Sequence, residues 1–402
     1  MKTMIYFLLL ACITPALWAN DWPFYRGPAL NGASEDTDWN PRFPPSGPEI
    51  AWEKDLGIGA SSFVVVGETV ITTGNKGNED ILWSLNTEDG SVNWAYRYPC
   101  NFEKRMFEGG TASTPTVAGG VVFNLSYDGQ LHAVDLNTGK KIWQKHMITD
   151  YGGKLSRWKY AGSPLIVNDK LFLDIGGRGN STLALDPKTG NKIWGEGKEQ
   201  AGYATIIPYQ AAIGEALLVF KGEALLGISQ SNGQQLWRYP WKTSYDVNAS
   251  TPIVLGKNAL VSSGYPGGRA ALLDLSGSKP KQLWRNDDIK TKMNTCVIHD
   301  GYAFAVTEKK GQLIAVNLRT GKTAWAERGT GQYGTLSIAG GILVVLTESG
   351  ELWTVKASGS KFQLISKGKV LEPRCWVTPT IAHGRVFAKN NRGKMVCVDL
   401  RK

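Results

Sequence analysis

Residues 131–143 read LHAVDLNTGKKIW, and residues 182–194 read TLALDPKTGNKIW. Each stretch contains an alternating strand, a polar turn whose glycine can take a positive φ angle, and a second strand with a tryptophan four residues after that glycine. Related stretches recur along the chain, and they end at Trp94, Trp143, Trp194, Trp237, Trp284 and Trp325. Successive tryptophans are 49, 51, 43, 47 and 41 residues apart, a period typical of four-stranded propeller blades.

Two copies of the repeat depart from the pattern. The copy ending at Trp284 has the turn sequence SGSKPK, and the copy at residues 352–365 has Ile365 in the tryptophan position. Because an indole buries a large apolar area, one tryptophan per blade is suited to packing against the next blade. We therefore interpret the repeat tryptophans, together with Trp52, as structural.

A second marker precedes each copy: a Ser/Thr-Pro strand followed by a turn of small residues. It reads STPTVAGG from Ser113, SPLIVND from Ser163, TPIVLGK from Thr251 and TPTIAHG from Thr378. Blades one, six and seven keep the register without proline, at Ser62, Thr295 and Thr335, and blade four offers Pro208. Proline cannot donate to a strand ladder, so these segments are predicted to be the innermost strands. Counting them gives eight blades.

The two ends of the chain complete the count. The last blade has three strands, the third at Met395–Leu400, while residues 50–54 form a strand with Trp52 that lacks preceding strands of its own. Pairing the two would close the ring and leave no open edge. The fold class predicted is all-β: one eight-bladed β-propeller of four-stranded antiparallel blades over residues 49–402, closed by an N-terminal strand. Residues 20–48, rich in proline and glycine, are predicted to form an irregular arm.

The first 19 residues resemble a secretory signal peptide, with Lys2, an apolar stretch from Met4 and small Ala19 at the cleavage position. Such an export signal predicts a periplasmic or secreted protein. An alternative reading makes Cys12, in the sequence LLAC, the lipidated residue of a lipoprotein. No other segment approaches the roughly 20 apolar residues that a membrane span needs.

Charge and cysteine spacing exclude several classes of function. The formal charge is +10, which favours an anionic partner, but lysine and arginine are scattered, so nucleic-acid binding is not expected. The cysteines fit neither a CxxC metal site nor haem attachment, and their pairing stays open. Four of them follow the signal segment: Cys100, Cys296, Cys375 and Cys397. The four histidines are separate, so zinc is not expected.

The repeat carries a family resemblance. The pattern Ala-x-Asp-x-x-Thr-Gly-x-x-x-Trp, at 133–143 and 184–194, resembles the tryptophan-docking repeat of the pyrroloquinoline quinone (PQQ) family, which includes quinoprotein alcohol dehydrogenases and the outer-membrane assembly factor BamB. The opening DWPFYRGP at 21–28 and GYAT at 202–205 are similar to exported bacterial PQQ-like propellers. The resemblance covers essentially the whole chain after residue 19. It is specific for fold and only weakly specific for function.

The fold predicts where a site lies. Connectors from the outer strand of one blade to the inner strand of the next emerge on one face, and they vary more than the repeats do. The candidates that they bring to the mouth of the central channel are Arg105, Glu108, Arg157, Trp158, Tyr203, Asp246, Asn248, Asn294, Tyr333, Arg374 and Trp376. Cations, aromatic rings and amides around one axis could hold a flat anion or a short peptide segment. The plainer alternative is that each residue only solvates the channel rim.

Two functions compete. The resemblance to dehydrogenases implies PQQ with calcium, with Trp158 or Trp376 beneath the quinone, Arg105 or Arg374 beside it, and Glu108, Asp246 and Asn248 as metal ligands. Against it, the chain has no adjacent cysteine pair and no haem motif. The resemblance to BamB implies a monomeric binding or scaffold module for an envelope protein. We favour the scaffold, and binding of a small molecule or a carbohydrate polymer is a further alternative.

Overall fold

The computed structural model describes residues 20–103 and 107–402. It begins with two strands, β1 (Ala33–Ser34) and β2 (Ile50–Asp55). Blade one then comprises β3 (Val64–Val66), β4 (Thr69–Lys76), β5 (Glu79–Asn86) and β6 (Val92–Pro99). Blade two comprises β7 (Thr116–Ala118), β8 (Val121–Leu125), β9 (Gln130–Asp135) and β10 (Lys141–His146).

Blades three to five follow the same order from the innermost strand to the outermost. Blade three is β11 (Leu165–Val167), β12 (Lys170–Asp174), β13 (Thr182–Leu185) and β14 (Lys192–Glu196). Blade four is β15 (Ile207–Ala211), β16 (Gly214–Phe220), β17 (Ala224–Ser229) and β18 (Gln235–Pro240). After a 3₁₀ turn at Ser244–Asp246, blade five is β19 (Ile253–Leu255), β20 (Asn258–Ser262), β21 (Ala270–Asp274) and β22 (Lys281–Asn286).

The last three blades complete the ring. Blade six is β23 (Val297–His299), β24 (Tyr302–Thr307), β25 (Gln312–Asn317) and β26 (Thr323–Arg328). Blade seven is β27 (Thr335–Ala339), β28 (Ile342–Leu346), β29 (Glu351–Lys356) and β30 (Leu364–Lys369). Blade eight is β31 (Thr380–Ala382), β32 (Arg385–Lys389) and β33 (Lys394–Asp399), with β2 as its outer strand. The prediction of an eight-bladed, four-stranded antiparallel propeller is confirmed.

Ring closure occurs where the sequence places it. Strand β2 pairs antiparallel with β33, and Trp52 lies opposite Cys397. This pairing covers the edge that blade eight would otherwise expose. Within the described residues, no helix has the length and apolar character needed to span a membrane.

The repeat tryptophans join neighbouring blades through their indole N–H groups. Trp94 donates to the carbonyl of Leu136 in blade two at 2.9 Å, and Trp52 donates to Thr87 in blade one at 3.0 Å. The same bond to the next blade is made by Trp143, Trp194, Trp284 and Trp325. Trp237 instead donates to Tyr209 in its own blade, and the blade after it is the one whose turn is rewritten as SGSKPK.

The repeat glycines are required by these same contacts. Gly139 has a φ of +68°, and a Cβ atom there would lie 2.6 Å from the ring of Trp94. A Cβ atom at Gly90 would likewise lie 2.6 Å from the ring of Trp52. A side chain would therefore both strain the backbone and displace the indole of the preceding blade.

A chain of hydroxyl groups links the inner ends of the blades. The N–H of Ser62 donates to the hydroxyl of Thr114 at 3.0 Å, and Thr114 N–H donates to Ser163 at 3.0 Å. The pattern continues from Ser163 to Thr205, from Thr205 to Thr251 and from Thr251 to Thr295. Thr205 thus holds the marker position in blade four, whereas Pro208 lies one residue inside β15. Pro208 lies in the innermost strand of blade four, as predicted, but the contact between blades is made by the Thr205 hydroxyl and not by the proline.

The first part of the arm, residues 22–34, crosses the lower end of the central channel on the face of the repeat turns, and residues 41–48 lie against β29 and β30 of blade seven. Trp22 bridges Val65 in blade one, and the carbonyl of Pro23 accepts from Val117 in blade two. Strand β1 pairs parallel with β27 in blade seven. Arg26, 1% exposed, donates to the carbonyls of Asn31 and of Cys296 in blade six, at 2.6 and 2.5 Å. The arm therefore ties together blades that are far apart in sequence.

Two lysines are fully enclosed between blades. Lys221 at the end of β16 donates to the Asp174 carboxylate at 2.6 Å, so its charge is matched by a buried partner. Lys389 at the end of β32 donates only to the Thr73 carbonyl at 3.0 Å and the Thr72 hydroxyl at 3.3 Å. Burial lowers the pKa of Lys389 from its ordinary 10.5 to about 7. A lysine that pairs with no carboxylate of the described residues thus lies between blade eight and blade one, where the ring closes.

Candidate functional site

A blind cavity lies on the propeller axis beneath the upper face, where the connectors emerge. Its volume is about 150 Å³, and Tyr25 of the arm closes its lower end. The hydroxyl chain surrounds its middle, and alanines such as Ala112 and Ala249 lie above the hydroxyls. Its upper wall is formed by Trp158, Tyr203, Tyr265, Met293 and Trp376. We call this cavity the socket.

A second hollow of about 140 Å³ continues from the socket towards the surface, and Trp158, Met293 and Trp376 line both spaces. Trp376 stacks on Tyr333 with ring centres 4.4 Å apart, and Phe107 meets it edge-on at 4.6 Å. The indole N–H of Trp376 donates to Glu348 at 3.1 Å. These contacts hold Trp376 in place as a fixed wall.

Glu108 and Arg374 form an ion pair beside this wall. The distance between the guanidinium and the carboxylate is 2.6 Å, and Arg392 approaches the same carboxylate at 4.0 Å. Arg374 also lies 5.2 Å from the Phe107 ring and 5.6 Å from the Trp376 ring. Burial alone would raise the pKa of Glu108, but the hydrogen bond and charge of Arg374 hold it below its usual value. Glu108 is therefore an ionised, paired carboxylate and a poor proton acceptor.

A second cation lies across the mouth. Lys292 pairs with Glu308 at 3.0 Å, donates to the Tyr333 hydroxyl at 3.1 Å, and lies 5.2 Å from the Tyr265 ring. Burial opposes its charge, yet these partners raise the pKa of Lys292 above its usual value. Burial raises the pKa of Tyr265 to about 12. The mouth thus holds permanent charges that are already matched.

Several of these residues were missed by the sequence reasoning. Lys292 is two residues before Asn294 in a connector, so the rule that selected the other candidates could have found it. Glu308 and Glu348 lie in loops between the second and third strands, which carry no repeat signal. Tyr25 could not have been found, because nothing in the sequence gives the path of the arm.

Two predicted mouth residues are enclosed in the protein instead. The Asn248 amide donates to the carbonyls of Lys221 and Gly222, both at 2.9 Å. The Asn294 amide donates to Val306 and Gly334, both at 2.8 Å. Both side chains are buried, so they brace the connectors and do not face the mouth. Their assignment as ligand-binding candidates is corrected for that reason.

The remaining candidates divide between the mouth and its edge. Tyr203 lies in the socket wall, and its hydroxyl accepts from the backbone N–H of Trp158 at 3.2 Å. Arg157 lies outside the socket, 5.6 Å from the ring of Trp158. Asp246 is half-buried in the 3₁₀ turn before blade five. Arg105 lies outside the described residues.

The proposed calcium ligands do not come together as a set. The Asn248 side chain is fully buried and its Oδ1 atom accepts from the Thr243 hydroxyl at 3.3 Å, and the cation beside Glu108 is the Arg374 guanidinium. In residues 20–103 and 107–402 no three His, Cys, Asp or Glu side chains are placed to share a metal ion. Trp376 is packed against two other rings, which leaves Trp158 as the half-exposed plate at the mouth. The residues present do not fit a calcium–quinone pair.

The four cysteines after the first 19 residues are unpaired thiols. Cys100, Cys296, Cys375 and Cys397 are all buried, and none forms a disulfide. Burial raises the pKa of each thiol, to about 11 for Cys296 and about 12 for Cys375 and Cys397. They are therefore protonated core residues.

Comparison with known proteins finds similarity to the assembly factor BamB and to quinoprotein alcohol dehydrogenases. A family model described as outer membrane protein assembly factor BamB matches residues 43–194 and 152–327. BamB of Moranella endobia is 26% identical over 270 residues, which cover 66% of this chain and 64% of that protein. The chain thus spans less than two thirds of the length of this curated relative.

Solved structures show the same division. The crystal structure of BamB from Moraxella catarrhalis superposes with a TM-score of 0.64 and 14% identity, covering 87% of this chain and 97% of that one. Quinohemoprotein alcohol dehydrogenase from Comamonas testosteroni gives 0.70 and 13% identity, covering 94% and 80%. At these identities the likeness shows a shared propeller fold.

Proposed function

The chain belongs to the protein family whose model is described as outer membrane protein assembly factor BamB, and on that premise we propose that it is an exported envelope scaffold that binds a partner polypeptide at the socket. The partner inserts one bulky apolar side chain into the cavity. Export agrees with the signal-like character of residues 1–19. The propeller provides a rigid frame, and the connectors on its upper face provide the contact surface.

The observation that carries this proposal is the blind apolar cavity under a wall of fixed aromatic rings. An apolar cavity of about 150 Å³ is large enough for a benzene-sized group. The hydroxyls around it accept from backbone N–H groups of neighbouring blades, and aromatic rings, alanines, Val247 and Met293 supply most of the remaining surface. Because the larger part of this surface is apolar, the pocket favours a phenylalanine or leucine side chain over a sugar, which would bury more hydroxyl groups than the cavity can pair.

The charges at the mouth favour binding over catalysis. Glu108 is neutralised by Arg374, and Lys292 by Glu308. A general base needs a pKa near the working pH, and the pKa of Glu108 is shifted away from that range. A quinoprotein dehydrogenase remains the competing function, supported by the structural relatives and by the half-exposed ring of Trp158 at the mouth.

A peptide series tests the proposal. Short peptides of the form Gly-Ser-Xaa-Ser-Gly, with phenylalanine, leucine, alanine or lysine at Xaa, are titrated into the protein of residues 20–402 by calorimetry. Burying the larger apolar side chain is worth about 1.5–3 kcal/mol. The phenylalanine and leucine peptides should therefore bind about 10- to 100-fold more tightly than the alanine peptide.

A matched pair of variants locates the binding. Ala161→Phe places a ring in the socket and should abolish the preference for phenylalanine and leucine. Ala95→Phe makes the same change on the exposed strand β6 and should leave it intact. Equal binding of all four peptides, or an unchanged preference in Ala161→Phe, would contradict the proposal.

A further inference from the structure

A basin with four cations adjoins the socket on the upper face. Its volume is about 410 Å³, and it is lined by Lys154, Arg157, Arg178 and Lys198. These side chains come from three different loops, two connectors and the turn between β12 and β13. Among residues 20–103 and 107–402, no acidic side chain lines the basin.

Three of these cations are exposed without an ion pair in the described part of the chain: Lys154, Arg178 and Lys198. The Glu199 carboxylate accepts from the backbone N–H of Lys198 at 3.1 Å and is not among the side chains that line the basin. The basin therefore combines a positive potential with open, hydrated space.

The basin and the socket meet at two consecutive residues. Arg157 lines the basin, and Trp158 lines the socket. The Arg157 guanidinium lies 5.6 Å from the Trp158 ring and 5.7 Å from the Tyr245 ring, within cation–π range of both. A ligand whose apolar group fills the socket must extend its neighbouring residues past Arg157 or towards the opposite rim.

We propose that the partner polypeptide carries acidic residues within about four positions of its bulky apolar anchor, and that these occupy the basin beside the socket. This inference rests on the proposed function. Carboxylates are opposite in charge to Lys154, Arg178 and Lys198, and an arginine such as Arg178 can bind a carboxylate through two parallel hydrogen bonds. The +10 charge of the chain attracts an acidic partner at longer range.

The test compares three peptides with the same phenylalanine anchor, followed by Asp-Asp, Asn-Asn or Lys-Lys. Binding is measured by calorimetry at low and at physiological salt. We expect the Asp-Asp peptide to bind about tenfold more tightly than the Asn-Asn peptide at low salt. The advantage should shrink as salt rises, because exposed charges are screened.

Charge reversal in the basin supplies the structural control. Lys154→Glu with Lys198→Glu should remove the Asp-Asp advantage and leave binding of the Asn-Asn peptide unchanged. Lys188→Glu with Lys140→Glu makes the same change in charge at exposed turns of the lower face and should have little effect.

The outcomes separate the two proposals. If Asp-Asp and Asn-Asn peptides bind equally, the acidic partner is refuted while the anchor in the socket stands. If no phenylalanine peptide binds, the socket function fails first. If a polyanion without an anchor, such as polyphosphate, binds the basin as tightly as the Asp-Asp peptide, recognition of an acidic polypeptide is overturned.

Discussion

Replacing Lys389 by methionine should stabilise the propeller at pH 6 and lose that benefit at pH 10. Methionine keeps an unbranched side chain as far as the Cε atom and removes the amine that is enclosed against Thr72 and Thr73. Among the described residues no carboxylate pairs with Lys389, and desolvation is the cause of its lowered pKa. The buried charge therefore costs free energy that the variant avoids.

The magnitude follows from the two pKa values of the lysine. The amine holds its proton up to about pH 10.5 in the unfolded chain and up to about pH 7 in the folded protein. Below pH 7 the folded state must hold a buried charge, at a cost of about 5 kcal/mol. Between pH 7 and 10.5 the unfolded state binds more protons, so the stability of the wild type rises by about 1.4 kcal/mol per pH unit.

The variant also loses two hydrogen bonds, and the Thr73 carbonyl is left without the amine as its partner. This loss costs about 1–3 kcal/mol and offsets part of the gain in stability. We therefore expect Lys389→Met to be about 2–4 kcal/mol more stable at pH 6 and equal to or slightly less stable than the wild type at pH 10. The difference between the two proteins should change by about 4 kcal/mol over this range.

Urea unfolding followed by tryptophan fluorescence, at each pH unit from 6 to 10, measures this difference. Lys221→Met is the matched control, because it leaves the Asp174 carboxylate buried without its cation and should lose about 3–5 kcal/mol. A difference between Lys389→Met and the wild type that stays constant from pH 6 to 10 would refute the reasoning.

Three further perturbations test the fold and the site. Gly139→Ala should lose about 2 kcal/mol or more in urea unfolding, because its Cβ would meet the Trp94 ring, whereas Gly119→Ala, also at positive φ but in open space, should lose only about 1 kcal/mol. Thr114→Val should lose about 1–3 kcal/mol, since the Ser62 N–H is left without its acceptor, and an unchanged unfolding midpoint would exclude a stabilising role for the hydroxyl chain. Addition of PQQ with calcium should give no saturable change in quinone absorbance, and dye-linked alcohol oxidation under these conditions would instead favour the dehydrogenase.

The fold could be predicted because each blade repeats the same strand–turn–strand sequence pattern. Trp94 and its counterparts recur at a blade-length period, and Trp52 stands alone with no strands before it, which identified the closing strand. The hydroxyl of Thr205 was overlooked because proline is the more visible marker. A periodic sequence reveals the unit and its count, but not which atom of the marker makes the contact.

The site was only partly predictable. Trp158, Tyr203 and Trp376 were predicted to lie near the axis because each is in a connector between blades and all connectors emerge on the same face. It could not show that Asn248 turns inward to two carbonyls, since side-chain direction in an irregular loop depends on tertiary neighbours. The ion pair between Glu108 and Arg374 joins residues 266 positions apart, and no local pattern records it.

The arm begins on the face of the propeller that is opposite the connectors. Asp21 lies beside Gly67 and His383, at turns on the side away from the connectors. Asp21 therefore lies at the base of the propeller, on the face opposite the socket. A polypeptide that entered the socket would approach from the other end of the axis and would not meet this first turn of the arm.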